Sequence, residues 1–260
     1  MSSKVVKFRP SNDLLRSVVL RQAGDWRKGI SELCQNALDS CLDAGVEPRI
    51  EVEVIQNDDM SSSLVIRDNG AGFGNSRKAV TEVFAVFGDS EKRGDDRYIG
   101  QFGCGRGQTI SMLWDQEEKR LLGSIEILSA SRFHRYRIHG IRVDSKLEFE
   151  IDDLGRPEPG TPTGVEWRIT STIGRFNEKD VAKYIARQFV LPYPVMVNGK
   201  AVQAEPLGKK HEDDYAVYYL NNSGAEFEVF DRGIRVKGIY PFSGFSGTIV
   251  TGTPTAGSTV

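Results

Sequence analysis

The chain has 260 residues, 39% of them apolar and 27% charged, which is enough to bury a real core as one large domain or two modest ones. A net charge of −2 and a pI near 6.0 exclude a global basic field for nucleic acid or anionic membrane, though not a local basic strip. No stretch approaches the roughly 20 apolar residues of a membrane span, residues 1–17 lack a secretory signal, and Cys34, Cys41 and Cys104 have no zinc spacing, so a reduced cytoplasmic protein with buried thiols is expected.

In chain order, the first forty-five residues read as helical, with a break near Gly24 and Gly29. Residues 50–56 and 63–68 alternate as two short strands, the second ending in the turn signal Asp68-Asn69-Gly70. Residues 76–87 return to helical spacing, and a glycine-punctuated stretch from Gly88 to Gly107 leads into a helix expected over Gln108–Trp114. Four alternating segments follow, at 120–131, 134–143, 146–151 and 164–170, and predict consecutive strands of an antiparallel meander. Residues 177–190 read as a helix stopped by Pro192 and Pro194. Beyond about residue 205 the pattern is again β, closing in a Gly/Ser/Thr-rich tail over 243–260 that reads as a disordered terminus or a cut edge. Helices first and antiparallel strands later predict an α+β two-layer sandwich, with helices on one face of the sheet.

On a helical wheel, Ile30, Leu33, Cys34, Ala37, Leu38 and Cys41 collect on one side of residues 27–44. Glu32, Asn36, Asp39 and Asp43 form a strip on the other, with no lysine or arginine among them. That strip is either a solvated face or a surface facing a cationic ligand. Carboxylates so spaced repel by a few tenths of a kcal/mol per pair, and Mg²⁺ would relieve the repulsion.

Asp68-Asn69-Gly70-Ala71-Gly72 is good chemistry for a surface turn. It also suits a carboxylate that accepts a hydrogen bond from a base edge, with glycines letting the backbone approach a flat ligand. Gly100-Gln101-Phe102-Gly103-Cys104-Gly105-Arg106-Gly107 places four glycines before a predicted helix, where backbone N–H groups hold phosphate well. A hinge or lid fits the same composition. No Gly-Lys-Ser/Thr follows, so it is not a Walker motif.

Taken in order, Glu32-x-x-x-Asn36-x-x-Asp39, Asp68-x-Gly70-x-Gly72 and Gly100-x-x-Gly103-x-Gly105-x-Gly107 resemble the N box and glycine boxes of the GHKL ATPases, which include gyrase, the large heat-shock chaperone, histidine kinases and MutL. The resemblance covers roughly residues 10–200 and implies the Bergerat-type ATP-binding fold. It implies that Glu32 is the general base for the attacking water, that Asn36 is the protein's ligand to Mg²⁺, and that Asp39 lines the ribose and phosphate side. It implies that Asp68 reads the adenine amino group between Gly70 and Gly72. Gly100, Phe102, Gly103, Cys104, Gly105, Arg106 and Gly107 would wrap the phosphates of ATP as a lid. Lys92, in Gly88-Asp89-Ser90-Glu91-Lys92, resembles a phosphate contact at the lid entry. Thr163 resembles the threonine of the adenine-aspartate network, with Thr161 as the alternative because the usual Gly-Thr order is not kept.

Within the superfamily, Glu32 argues for ATP hydrolysis over phosphotransfer to histidine. The wording around Ile99–Gly105 and in 182–199 resembles the heat-shock-chaperone and MORC branches. The resemblance further implies a module of residues 1–205 that closes its lid on ATP and pairs with a second copy. The β-rich segment 206–260 would begin a transducer-like domain, in which Arg232, Arg235 and Lys237 are candidates for a γ-phosphate contact. An ATP-holding module with little turnover and a protein kinase are the alternatives. The client, and any nucleic-acid role, are not encoded in these motifs. His134, His139 and His211 form no metal or triad pattern.

Overall fold

In a computed structural model the structure describes residues 25–73, 80, 109, 111–115, 120–132, 134–140, 149–189, 193–202, 208–212, 216–221, 226–231, 234–241 and 246–251. Helix α1 spans Trp26–Ala44. Its first turn is capped by Asp25, whose carboxylate accepts from the Arg27 N–H at 3.2 Å, and it ends at Gly45 in the left-handed region (φ 65°). The expected break at Gly29 is not there: the glycine is buried inside an uninterrupted helix. One interior glycine costs about 1 kcal/mol, which the buried face of α1 outweighs, since each fully buried Ile or Leu contributes roughly 1.5–3 kcal/mol.

Strands β1 (Glu51–Gln56) and β2 (Ser62–Arg67) form an antiparallel pair. The helix expected to reach Trp114 stops earlier, because Thr109 and Ser111 are helical, Met112 and Leu113 turn, and Trp114 opens a strand. That strand, β3 (Trp114–Asp115), pairs with β4 (Arg120–Leu121). Then come β5 (Gly123–Ala130), β6 (Arg135–Gly140), β7 (Phe149–Asp153) and β8 (Gly164–Ser171). Helix α2 (Glu178–Gln188), capped by Asn177, leads to β9 (Val195–Val197) and β10 (Lys200–Val202).

The sheet order is β10-β9-β1-β2-β8-β5-β6-β7, antiparallel throughout except for β1 against β9. The predicted meander therefore holds for β5-β6-β7 only. Strand β8 crosses back between β5 and β2, a long-range pairing that alternation within a segment does not specify. One face packs on α1 and α2: Ile66, Trp167, Ile127 and Ile138 lie in register across four strands and belong to the core that Ile30, Leu33, Ala37 and Ile185 close. The opposite face carries ion pairs. Arg67 bridges Glu53 (2.9 Å) and Glu166 (2.6 Å), and Arg168 reaches Glu166 at 3.4 Å. This is the expected α+β two-layer arrangement.

A second, five-stranded sheet follows in the order β11-β12-β15-β13-β14. It comprises β11 (Lys209–Glu212), β12 (Ala216–Asn221), β13 (Glu226–Asp231), β14 (Ile234–Pro241) and β15 (Ser246–Thr251). The tail expectation is corrected here, because Ser246–Thr251 is the central strand, with Val250 and Thr248 buried. Its alternation of small or polar residues with Ile249 and Val250 is that of a strand whose neighbours supply the bulk. Gln188 at the end of α2 donates to the Arg235 carbonyl on β14 at 3.1 Å, tying this sheet to the helical layer. Among the described residues no helix is long and apolar enough to cross a membrane.

Candidate functional site

The site is built where the end of β2 meets α1. Asp68 follows the last residue of β2, and its N–H still donates to Val165 O at 3.0 Å in the ladder with β8. Its Oδ1 accepts from the Gly70 N–H at 2.8 Å, an Asx turn, and from the Val165 N–H at 3.3 Å. Both bonds fall on Oδ1, and among the described residues none falls on Oδ2. Burial pushes the Asp68 carboxyl up to about 6, against the two N–H groups that pull it down.

The turn is clamped to the helix by residues that the sequence motifs do not single out. Ala71 N–H donates to Ser40, to both its carbonyl and its Oγ at 3.1 Å. Asn69 Oδ1 accepts from the Arg49 N–H at 2.8 Å and from Cys41 Sγ at 3.2 Å, while its Nδ2 donates to Glu47 O at 2.9 Å. Asn69 thus joins the turn to the loop that leaves α1. Burial, with the Asp68 charge second, pushes the Cys41 thiol up to about 11, so it is a packed thiol rather than a nucleophile.

Two glycines of the turn have a packing reason of their own. A Cβ at Gly70 would collide with Ser40, so Gly70 is what lets the turn lie against α1. Gly72, at φ 74°, lies against the Ala130 carbonyl at the end of β5. Phe73 then donates its N–H to Ser129 Oγ (2.7 Å) and sets its ring edge-on to Trp167 at 6.4 Å.

The acidic strip of α1 is not a solvated face. Asp39 is fully buried, Glu32 and Asn36 are half-buried, and only Asp43 is exposed. Burial raises the Glu32 carboxyl above the usual carboxylate range, and the Asp39 charge raises it further, so the two acids share one electrostatic space. The N-terminal half of α1 is fixed from α2. Ser31 Oγ and Tyr184 OH are hydrogen-bonded at 2.7 Å, and Trp26 meets the Tyr184 ring edge-on at 5.9 Å. Among the described residues no group of three or more His, Cys, Asp or Glu is arranged to hold a metal ion.

Of the two candidate threonines, Thr163 lines a cleft of about 380 Å³ together with Asp68, while Thr161 lies in a turn and donates its N–H to Glu158 O at 3.0 Å. The strip residues Glu32, Asn36 and Asp39 do not line that cleft. The structure therefore sets Gly70 against α1, Gly72 against the end of β5, and Thr163 beside Asp68 along the cleft. Lys92, Gly100, Phe102, Gly103, Cys104, Gly105, Arg106 and Gly107 lie outside the described residues. So do Arg232 and, for its side chain, Lys237.

No protein-family model matches the chain, and no curated protein matches it in sequence. Solved structures do match in fold. One is the ATPase region of Saccharomyces cerevisiae topoisomerase II, at a TM-score of 0.55 and 13% identity over 79% of this chain and 60% of that one. The same region bound to ICRF-187 (dexrazoxane) gives 0.55 at 12%, with the same coverage. The ATPase and transducer domains of DNA topoisomerase II from Balamuthia mandrillaris give 0.55 at 14%, over 78% of this chain and 58% of that one. The chain thus spans about 60% of the length of the structures it matches. These three are type II topoisomerases and not members of the chaperone or MORC branches that the sequence wording resembles. The fold, with its mixed sheet, its helices on one face and its β-rich C-terminal part, is similar to the GHKL ATPase fold.

Proposed function

We propose that this chain is a GHKL-type module that binds ATP with Mg²⁺ and hydrolyses it slowly. The observation that carries the reading is the Asp68 carboxylate, fixed through Oδ1 by two backbone N–H groups and left with Oδ2 as an acceptor, on a fold shared with topoisomerase II ATPase regions. That atom suits the amino group of adenine, with Thr163 beside it. Asn36, half-buried on the same helix face as Glu32, is the residue that would hold Mg²⁺, together with oxygens of the nucleotide. The ion's part is to offset phosphate charge.

Glu32 is the residue we assign to proton transfer. Its raised affinity for a proton, set by burial and by Asp39, suits a carboxylate that orients and deprotonates water. Asp39 would face ribose and phosphates. Gly100, Phe102, Gly103, Cys104, Gly105, Arg106 and Gly107, with Lys92, would wrap the phosphates and close over them. Closure on ATP would favour pairing of two copies, since a ligand shifts a conformation only by binding one state better. Residues 1–205 would be the nucleotide-binding domain, and 206–260 would belong to a following transducer-like unit.

Calorimetric titration with a non-hydrolysable ATP analogue and Mg²⁺, on wild type and Asp68→Asn, tests the binding. The expected result is saturable binding that weakens at least about 100-fold in the variant, the size of a lost charged hydrogen bond in a buried site. Absence of wild-type binding would reduce the reading to a shared fold. Glu32→Ala should then keep the analogue and lose phosphate release; equal release by both proteins would remove Glu32 from the chemistry.

A further inference from the structure

The cleft that Asp68 and Thr163 border opens mainly on the other side of the sheet, away from the helices. Ala130 pairs with both Gly164 and Arg135, which sets these three residues side by side across β8, β5 and β6. Leu154 continues the row, donating its N–H to Arg135 O. The neighbouring positions Ser129, Val165 and Tyr136 face the helical side, where Val165 and Tyr136 join the core, so alternation turns Gly164, Ala130 and Arg135 outward. The outer floor is therefore a glycine and an alanine, bordered by Leu128, Leu154 and Pro162.

Arg135 lines this space, and among the described residues it forms no ion pair, although Asp68 and Glu166 border the same cleft. On the same face Arg67 holds Glu53 and Glu166, and Arg168 also holds Glu166. The Arg135 Nε–H, by contrast, is buried without an acceptor, and among the described residues no carboxylate pairs with its guanidinium. The half-buried Arg135 side chain, with this unmet donor, borders a cleft of about 380 Å³, a volume in the range of small-molecule sites.

We propose that this outer-face cleft is a second binding site, for a small carboxylate with a flat apolar body, whose anion pairs with Arg135 and whose body lies on Gly164 and Ala130 between Leu128, Leu154 and Pro162. A planar carboxylate matches the guanidinium fork in two parallel bonds. Glu166 and Asp68 border the same space and repel any anion, a phosphate dianion about twice as strongly as a carboxylate of single charge. The site goes beyond the nucleotide reading and does not depend on it.

Benzoate is the probe, titrated without nucleotide into the full chain and followed by heteronuclear NMR. About nine non-hydrogen atoms support a dissociation constant on the order of 1–10 mM. Arg135→Leu is expected to weaken binding at least about tenfold. Arg135→Lys should keep part of it, and Ala130→Leu should abolish it by filling the floor with the guanidinium intact. Benzamide, the uncharged planar isostere, should bind at least about tenfold more weakly. Ala130 and Arg135 stand on different strands, so if one variant fails to fold the other still decides. No saturable shift in the wild type overturns the proposal, and so does benzoate binding that Arg135→Leu and Ala130→Leu leave unchanged.

Discussion

On the outer face of the eight-stranded sheet, Glu166 is gripped by two arginines, and Arg67 is shared with Glu53, all of them at least partly in solvent. Beside α1, Asp68 and Glu32 are carboxylates of the same chemistry in the opposite situation. Both are half-buried, neither has a cation paired with it among the described residues, and both hold protons more tightly than usual. Paired surface charges contribute little, about 0–1 kcal/mol, whereas ionised groups held in burial without a partner oppose folding. The difference separates acids that decorate the fold from acids the fold tolerates at a cost, and the second kind is where a ligand has work to do.

The comparison breaks most completely if the Asp68 turn loses its seat. Gly164 sits at φ 136°, and a Cβ there would collide with the Asp68 carbonyl. Gly164→Ala should lower stability by about 3 kcal/mol or more in urea unfolding, combining a disfavoured backbone with a clash against main chain. A loss below about 1 kcal/mol would mean that the β2–β8 seam is not packed as described.

Removing the buried charge is the next largest effect, and its sign is opposite. The folded Asp68 carboxyl titrates at about 6 against an ordinary 3.8, so the folded state binds this proton more tightly than the unfolded chain. Stability should therefore fall as pH rises from about 4 to about 6, then stay level. Asp68→Asn keeps an oxygen for the Gly70 and Val165 N–H groups but carries no charge. It should be more stable than wild type by up to about 3 kcal/mol near neutral pH, equal to it below about pH 4, and should lack this pH step. Thermal unfolding of both proteins across that range checks the sign. A variant less stable than wild type near neutral pH would show that a further group compensates the carboxylate charge.

How much of this was legible in the chain differs by element. The periodicity of 27–44 gave the buried stripe of α1, and alternation gave β1, β2, β5 and β8, because each pattern is local. The place of β8 between β2 and β5 depends on pairings some hundred residues apart, which no segment encodes by itself. Ser246–Thr251 looked like a tail because Gly, Ser and Thr dominate its surroundings, yet its position between β12 and β13 makes small side chains acceptable. The motifs marked Asp68, Gly70 and Gly72, but not Asn69 or Ser40. Asn69 stands inside the turn signal, and an asparagine there is usually chosen for its backbone. That its side chain would reach Cys41, Glu47 and Arg49 depends on how α1 ends, which only the packed structure displays.

The smallest effects sharpen the contrast, because they pair an acid from each side. Glu32→Gln removes a carboxylate whose proton affinity is raised by burial and then by Asp39, so it should stabilise the fold near neutral pH, by less than Asp68→Asn, and should abolish nucleotide turnover. Glu166→Gln removes an acid that already has its arginines, and Arg67 retains Glu53 at 2.9 Å. Its stability should change by no more than about 1 kcal/mol, diminishing further in high salt, with turnover unaffected. The informative quantity is the sign difference in denaturant midpoints, measured side by side. If Glu32→Gln destabilised the protein and Glu166→Gln did so more strongly, the outer network would be the structural keystone. The helix-side acids would then be ordinary polar residues, and the energetic ground for assigning them a ligand would be gone.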